Sequence, residues 1–155
     1  MDRIPITRAG YESLKQELEH LKTVERPNNI KAIEEARAHG DLSENAEFHA
    51  AKERQSFIEG RVSELGFKLG NADIIDTNNL PKDRLVFGLR AVLENIDTGE
   101  NVEYMLVGPD ESDIDAGRIS VTSPLGRAML GKEIGEEVVV AAPAGKRVYE
   151  IVDII

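Results

Sequence analysis

The chain has 155 residues, 41% hydrophobic and 31% charged, with a formal net charge of -10, which describes a folded globular protein of one ordinary domain or two small ones. The acidic balance excludes a general grip on nucleic acid, which depends on Lys and Arg neutralising phosphates, so any such contact is local or comes through a partner. The absence of Cys excludes disulfides and thiolate metal sites; four Phe, three Tyr and no Trp make base-stacking platforms and aromatic-walled pockets hard to build.

At the N-terminus, Asp2 and Arg3 precede Ile4-Pro5-Ile6 without the apolar stretch of a signal peptide. No uncharged apolar run in the chain approaches the roughly 20 residues of a membrane helix. The expectation is a cytoplasmic protein with no membrane partner. Thr7 is a candidate N-cap, and Tyr11, Leu14, Leu18 and Leu21 follow at heptad spacing. Pro27, after Arg26, removes an intrahelical donor and predicts a kink or a restart of the helix. A second heptad stripe runs Phe48, Ala51, Gln55, Ile58, Val62, Leu65, Leu69 and Ala72.

The two stripes mirror each other. Leu14 with Leu69, Leu18 with Leu65 and Leu21 with Val62 have position numbers adding to 83, while Ile33 with Ala51 and Ala36 with Phe48 add to 84. A near-constant total is what two antiparallel helices packed face to face require, since each step up one arm is a step down the other. The mirror point falls near residue 42, where Gly40 suits the end of one helix and Asp41 the cap of the next. Arms of about 33 residues make a rod on the order of 50 Å long, most of which is expected to project from a globular domain of this size.

Beyond residue 76 the periodicity changes to β-rich runs, among them Arg90-Ala91-Val92-Leu93 and Val138-Val139-Val140. The expected organisation is a finger over 1–76, a linker over 77–82 and a globular domain over 83–155. In that last part Asp97-Thr98-Gly99-Glu100-Asn101 predicts a hairpin turn, and Gly145-Lys146 a second turn before a strand over 148–155. Ser123-Pro124 predicts the start of a short helix that Gly131 ends. The fold class is α+β, a helical hairpin followed by a curled sheet with one helix packed on it.

Chemistry concentrates at the mirror point. Glu34, Glu35, Asp41, Glu44 and Glu47 face only Arg37 as a base between Glu34 and Glu47. Read as a helix start, Asp41 and Glu44 have the spacing of an N-cap and its capping-box partner, and also place two carboxylates on one face, near enough to share a divalent cation such as Mg²⁺. Two carboxylates without a pocket are not a complete active site, so catalysis would need a partner. His39 and His49 flank the tip but have no regular ligand spacing and read as solvated positions, as does His20. Arg37, Lys52 and Arg54 lie near enough to touch a phosphate or to pair along the helix surface. Ser120, Ser123-Pro124 and Arg127 to Lys132 form a compact patch, readable as a docking surface or as capping alone.

The stretch Gly40-Asp41-Leu42-Ser43-Glu44-Asn45-Ala46-Glu47-Phe48-His49-Ala50-Ala51-Lys52-Glu53 resembles the tip motif of the bacterial Gre transcript-cleavage factors of the GreA type. Ile4-Pro5-Ile6-Thr7, Glu35-Ala36-Arg37-Ala38-His39, Ile119-Ser120-Val121 to Ser123-Pro124 and Gly131-Lys132 extend the resemblance over nearly the whole chain. The resemblance implies an antiparallel coiled-coil hairpin plus an FKBP-like C-terminal domain. It implies a transcription elongation factor whose finger enters the secondary channel of backtracked RNA polymerase and activates the polymerase's own hydrolysis of the nascent RNA 3' end. Asp41 and Glu44 would then assist catalysis by helping to hold a Mg²⁺ shared with the polymerase, with no cofactor bound stably by the factor alone and no small-molecule ligand. Arg37 and Lys52 match the family's RNA-contacting residues, and Ser120, Ser123 and Pro124 its docking surface; Lys52 stands where relatives often carry Arg, and Phe48 where Tyr is common. Three other readings stay open: a channel-blocking inhibitor built on the same finger, a prolyl isomerase in the C-terminal half, and a coiled-coil adaptor, which explains the rod but not the tip.

Overall fold

A computed structural model describes residues 3–41 and 44–155. Contacts divide the chain into two compact units, one formed by residues 3–10 with Ala72–Ile155 and the other by Tyr11–Asn71.

The helical unit is the expected hairpin. Its first arm comprises α1 (Arg8–His20), a π-helical turn (Leu21–Glu25) and α2 (Arg26–Arg37); its second is a single helix, α3 (Ala46–Gly70). Leu14, Leu21, Ile33 and Ala36 of the first arm and Ala51, Ile58 and Leu65 of the second are buried, as the stripes require. Cross-arm bonds fall in antiparallel order. The Arg61 guanidinium grips Glu17 through two bonds of 2.6 and 2.8 Å, Arg54 reaches Glu25 at 3.0 Å, and Asn29 Nδ2 donates to the Ala51 carbonyl at 2.9 Å. Buried Asn29 is the one polar member of the first arm's buried row, and its amide would lose a partner if the arms slipped, so it helps set their register.

The kink or restart expected at Pro27 takes the form of a π-helical turn just ahead of it, after which α2 starts at Arg26 with Pro27 in its first turn. Arg26 N–H bonds the Leu21 carbonyl five residues back, and the Thr23 hydroxyl donates to the Glu19 carbonyl at 2.8 Å. His20 and Glu25, five apart, meet at 3.3 Å, as the wider turn allows. A π turn carries one extra residue, and this accounts for the one-residue step between the totals of 83 and 84. The row Leu14, Leu18, Leu21, Glu25, Asn29, Ile33, Ala36 has three successive spacings of four, from Leu21 to Ile33, where an uninterrupted heptad alternates four and three.

Hydrogen bonds from basic partners hold several hairpin carboxylates below the usual glutamate range: Arg61 for Glu17, Arg54 for Glu25, Arg26 for Glu59 and Lys68 for Glu64. A carboxylate whose folded pKa is depressed contributes stability that is complete above its unfolded value and is lost as pH falls through the folded one. Hairpin stability is therefore expected to fall as pH drops below the ordinary glutamate value of 4.5. Melting followed by helical circular dichroism checks this. Arg61→Ala should flatten the acid slope and cost no more than about 1 kcal/mol at neutral pH, because the pair is partly solvated.

The second unit is built on a five-stranded sheet in the order β5-β4-β3-β7-β6, from β3 (Arg90–Asn95), β4 (Asn101–Val107), β5 (Arg118–Ser120), β6 (Glu137–Ala142) and β7 (Gly145–Ile154). Within this sheet β4 and β5 pair in parallel and the other neighbours are antiparallel. The single α-helix of this unit beyond the sheet, α4 (Pro124–Met129), sends Met129 into a core with Leu85, Leu93, Leu106, Val138 and Ile151. The predicted turn after β3 is present, with Asn95 Oδ1 accepting from the amides of Asp97 and Thr98 and Gly99 at φ 75°. The second turn falls at Pro143-Ala144 rather than Gly145-Lys146, since those two residues already pair with Ala142 and Ala141.

The expected domain boundaries shift. Strand β1 (Ile4–Thr7) pairs in parallel with β2 (Ala72–Ile75), so both belong to the sheet-bearing unit rather than to the finger, and Ala72 is strand rather than helix. The segment expected as a linker over 77–82 is packed, with Leu80 against the core and Thr77 filling the space a side chain at Gly88 would need. Strand pairing between residues 68 positions apart leaves no local periodicity to read.

Thr7 caps α1 as expected, its hydroxyl accepting from Gly10 N–H at 3.0 Å. The rest of the capping box comes from Glu111. Its Oε2 accepts from Thr7 N–H at 2.9 Å and from the Thr7 hydroxyl at 3.1 Å, where a glutamate at the third helical position would ordinarily reach back. Gly10 holds that position, and a Cβ there would overlap the Glu111 carboxylate.

Candidate functional site

The tip is built differently from a helix opening at Asp41. Helix α2 ends at Arg37, Gly40 turns the chain at φ 102°, and α3 begins only at Ala46 with Asn45 as its N-cap. Asp41 and Glu44 are thus neither N-cap nor capping-box partner. Both are exposed residues of the loop joining the arms. Asn45 takes the capping role because it serves both arms at once: Oδ1 accepts from Phe48 N–H at 3.0 Å, and Nδ2 donates to the Ala36 carbonyl at 2.7 Å. An aspartate could supply only the first bond. Leu42 and Ser43, part of the expected motif, lie outside the described residues.

Arg37 is exposed at the end of α2 and makes no ion pair among the described residues. Lys52 is exposed on α3, its Nζ donating to Gln55 Oε1 at 2.8 Å. Arg54, the third cation expected near the tip, is committed elsewhere, bonded to Glu25 and placed 5.1 Å from the Phe57 ring centroid. His39 stands 3.8 Å from Glu47 across the loop, and the His49 ring meets Phe48 edge-on at 5.8 Å. Among the described residues no group of three Asp, Glu or His side chains could hold a metal. The described residues of the tip therefore hold no complete metal site; Asp41 and Glu44 carry hard oxygen atoms of the kind Mg²⁺ accepts one or two of, the rest of its shell coming from elsewhere.

In the sheet-bearing unit, Ser120, Ser123 and Pro124 come together on the wall of a groove of about 450 Å³, lined also by Ile114, Ile119, Leu125, Val140 and Ala142. The two serines shape the wall. Ser120 Oγ accepts from Thr122 N–H at 3.1 Å and meets the Thr122 hydroxyl at 2.7 Å; Ser123 Oγ donates to the Ser120 carbonyl at 2.7 Å and accepts from Gly126 N–H at 3.0 Å, capping α4. Ser120 is buried, and the surface presented to solvent is largely apolar. Among the described residues no aromatic side chain lines the groove.

Sequence reasoning missed Asn45, Gly126 and Glu111. Asn45 had a local signal, since it is the cap-forming residue nearest the start of the second stripe at Phe48. Gly126 and Glu111 had none, because each is defined by a contact made only after folding.

Among the described residues no helix is long and apolar enough to cross a membrane. Residues 4–74 match the family described as transcription elongation factor, N-terminal, and residues 80–155 match transcription elongation factor, GreA/GreB, C-term. Transcription elongation factor GreA of Thermodesulfovibrio yellowstonii is 56% identical over 99% of this chain and 97% of its own length, and that of Hyphomonas neptunium is 55% identical over 100% and 99%. The crystal structure of GreA factor homolog 1 from Thermus thermophilus is 31% identical over 99% of both chains, with a TM-score of 0.44. With both halves matched and relatives more than half identical along the full chain, this protein belongs to the GreA/GreB family of transcription elongation factors.

Proposed function

We propose that the protein stimulates cleavage of the 3' end of nascent RNA in backtracked RNA polymerase by presenting its hairpin tip in the secondary channel. The observation that carries this reading is the pair Asp41 and Glu44, two exposed carboxylates on the loop between the arms with no third ligand beside them among the described residues. Such a pair is half of a metal site. The polymerase would complete it, and the hydrolysis remains the polymerase's own.

In that arrangement Asp41 and Glu44 would hold a Mg²⁺ shared with the polymerase, which when bound supplies charge neutralisation and an activated water. Arg37, without an ion pair among the described residues, and exposed Lys52 would contact the RNA phosphates near the 3' end. The groove built by Ser120, Ser123 and Pro124 would dock on the channel rim by burying apolar surface. An apolar groove without aromatic walls suits docking better than the enclosure of a proline ring that isomerase activity requires.

The test is release of the RNA 3' fragment from halted, backtracked complexes. Asp41→Asn and Glu44→Gln are expected to lower the stimulated cleavage rate by about 100-fold or more while leaving polymerase binding intact, as loss of a metal-holding or charge-stabilising group does. Unchanged cleavage overturns the proposal. Suppression of cleavage by the unaltered protein would instead mark a channel-blocking inhibitor.

A further inference from the structure

We infer that Asn45 is the positioning residue of the tip, a side-chain clamp that holds the ends of the Asp41–Glu44 loop together so that the two carboxylates are presented at a fixed separation. This deepens the cleavage reading and rests on it.

The last turn of α2 leaves carbonyls without intrahelical donors, and the first turn of α3 leaves N–H groups without acceptors. Asn45 answers one of each. The Ala36 carbonyl accepts from His39 N–H at 3.2 Å and, at a shorter 2.7 Å, from Asn45 Nδ2, while Asn45 Oδ1 accepts from Phe48 N–H at 3.0 Å. Ala36 is buried in the seam and Asn45 is half-buried, so the cross-link lies against the packed end of the hairpin.

The clamp fixes the loop at both sides. Glu44 is the residue next to it, and Asp41 follows the Gly40 turn that closes α2. Capping alone does not need an amide, because Asp and Ser cap helices as well as Asn. What asparagine adds is a donor nitrogen separate from its acceptor oxygen, so that one side chain reaches both Ala36 and Phe48. Displacing a group by about 1 Å can cost about 100-fold in rate, so a bond of modest strength can matter greatly if it sets the carboxylate separation.

The test uses full-length protein carrying Asn45→Ser, a neutral change, and Asn45→Asp; both keep a cap acceptor, and neither restores the amide bridge. In the free factor, amide hydrogen exchange should leave Phe48 protected while the amides of residues 38–41 exchange about tenfold faster or more. With backtracked polymerase at saturating factor, both variants should cleave at least about tenfold more slowly and require more Mg²⁺ for half-maximal rate, with polymerase affinity within about twofold of the parent. A mere capping role predicts parental behaviour in both assays. Parental exchange at 38–41 overturns the clamp, and parental rate and Mg²⁺ requirement overturn its role in positioning. Asp41→Asn run alongside separates the two hypotheses: if it cleaves as well as the parent, the cleavage reading fails, whereas the exchange result still decides the clamp.

Discussion

Gly126→Ala is expected to destabilise the sheet-bearing unit by about 2–3 kcal/mol and to weaken polymerase binding by at least tenfold, with the hairpin's helical melting unchanged. A Cβ at this position would lie 1.9 Å from the Ser120 carbonyl oxygen and 3.1 Å from Ser123 Oγ. The first contact is with backbone, which cannot swing aside as a long side chain can. Relief requires moving α4 away from β5, and that movement breaks the Ser123 cap and the bond from Ser123 Oγ to the Ser120 carbonyl. Those bonds form the groove wall, so stability and docking should fall together. Two-probe unfolding, far-ultraviolet for the helices and near-ultraviolet for the tyrosines of the sheet-bearing unit, combined with a polymerase competition assay, measures both. A variant with normal stability but lost binding would show that the collision is absorbed locally and that the groove itself is altered.

Deletion of Pro27 is expected to convert the first arm into a continuous α-helix, with a gain in hairpin stability on the order of 1 kcal/mol. Removing one residue between Glu25 and Asn29 restores the alternation of four and three along Leu14, Leu18, Leu21, Glu25, Asn29, Ile33 and Ala36. The seam then stays in phase with α3 on both sides without the π turn. The deletion also removes the residue that cannot donate to the helix ladder; against this, the unfolded chain recovers the freedom that proline denied it. Increased helical ellipticity with a raised hairpin melting temperature supports the account. A destabilised hairpin would mean that the π turn is held by its surroundings, through Thr23, His20 and Glu25, rather than forced by the surplus residue.

The hairpin was legible because its information is periodic. Heptad spacing on two segments defines two stripes, and their mirrored numbers locate the turn without knowledge of any contact. Even the π turn left a trace, as the step from 83 to 84, although the step does not say which residues absorb it. Pro27 pointed to the right neighbourhood. The distortion lies at Leu21–Glu25, one turn earlier, where the hydrogen-bond register must change before the proline is reached.

The tip shows where such reading stops. Asp41, Ser43 and Asn45 are all residue types that cap helices, and the capping-box pattern favoured Asp41. Folding chose Asn45, whose amide carries its donor and its acceptor on separate atoms and so joins the Ala36 carbonyl to the Phe48 amide once the arms are side by side. The resemblance to the Gre factors singles out the carboxylates from the motif, an expectation that does not depend on their backbone conformation.

By itself the sequence determined the α+β class, the antiparallel hairpin with its turn near residue 42, the short helix after Ser123 and the family. Each is written in local spacing or in a contiguous motif. Tertiary structure alone decided that β1 and β2 join the sheet-bearing unit, that Glu111 completes the cap of a helix 104 positions away, and that Gly126 must be glycine to pass the Ser120 carbonyl. These depend on hydrogen bonds and steric exclusion between groups far apart in the chain, which leave no period along it. The acidic tip was visible as composition, and its shape was settled when the arms met and Asn45 could bond to both.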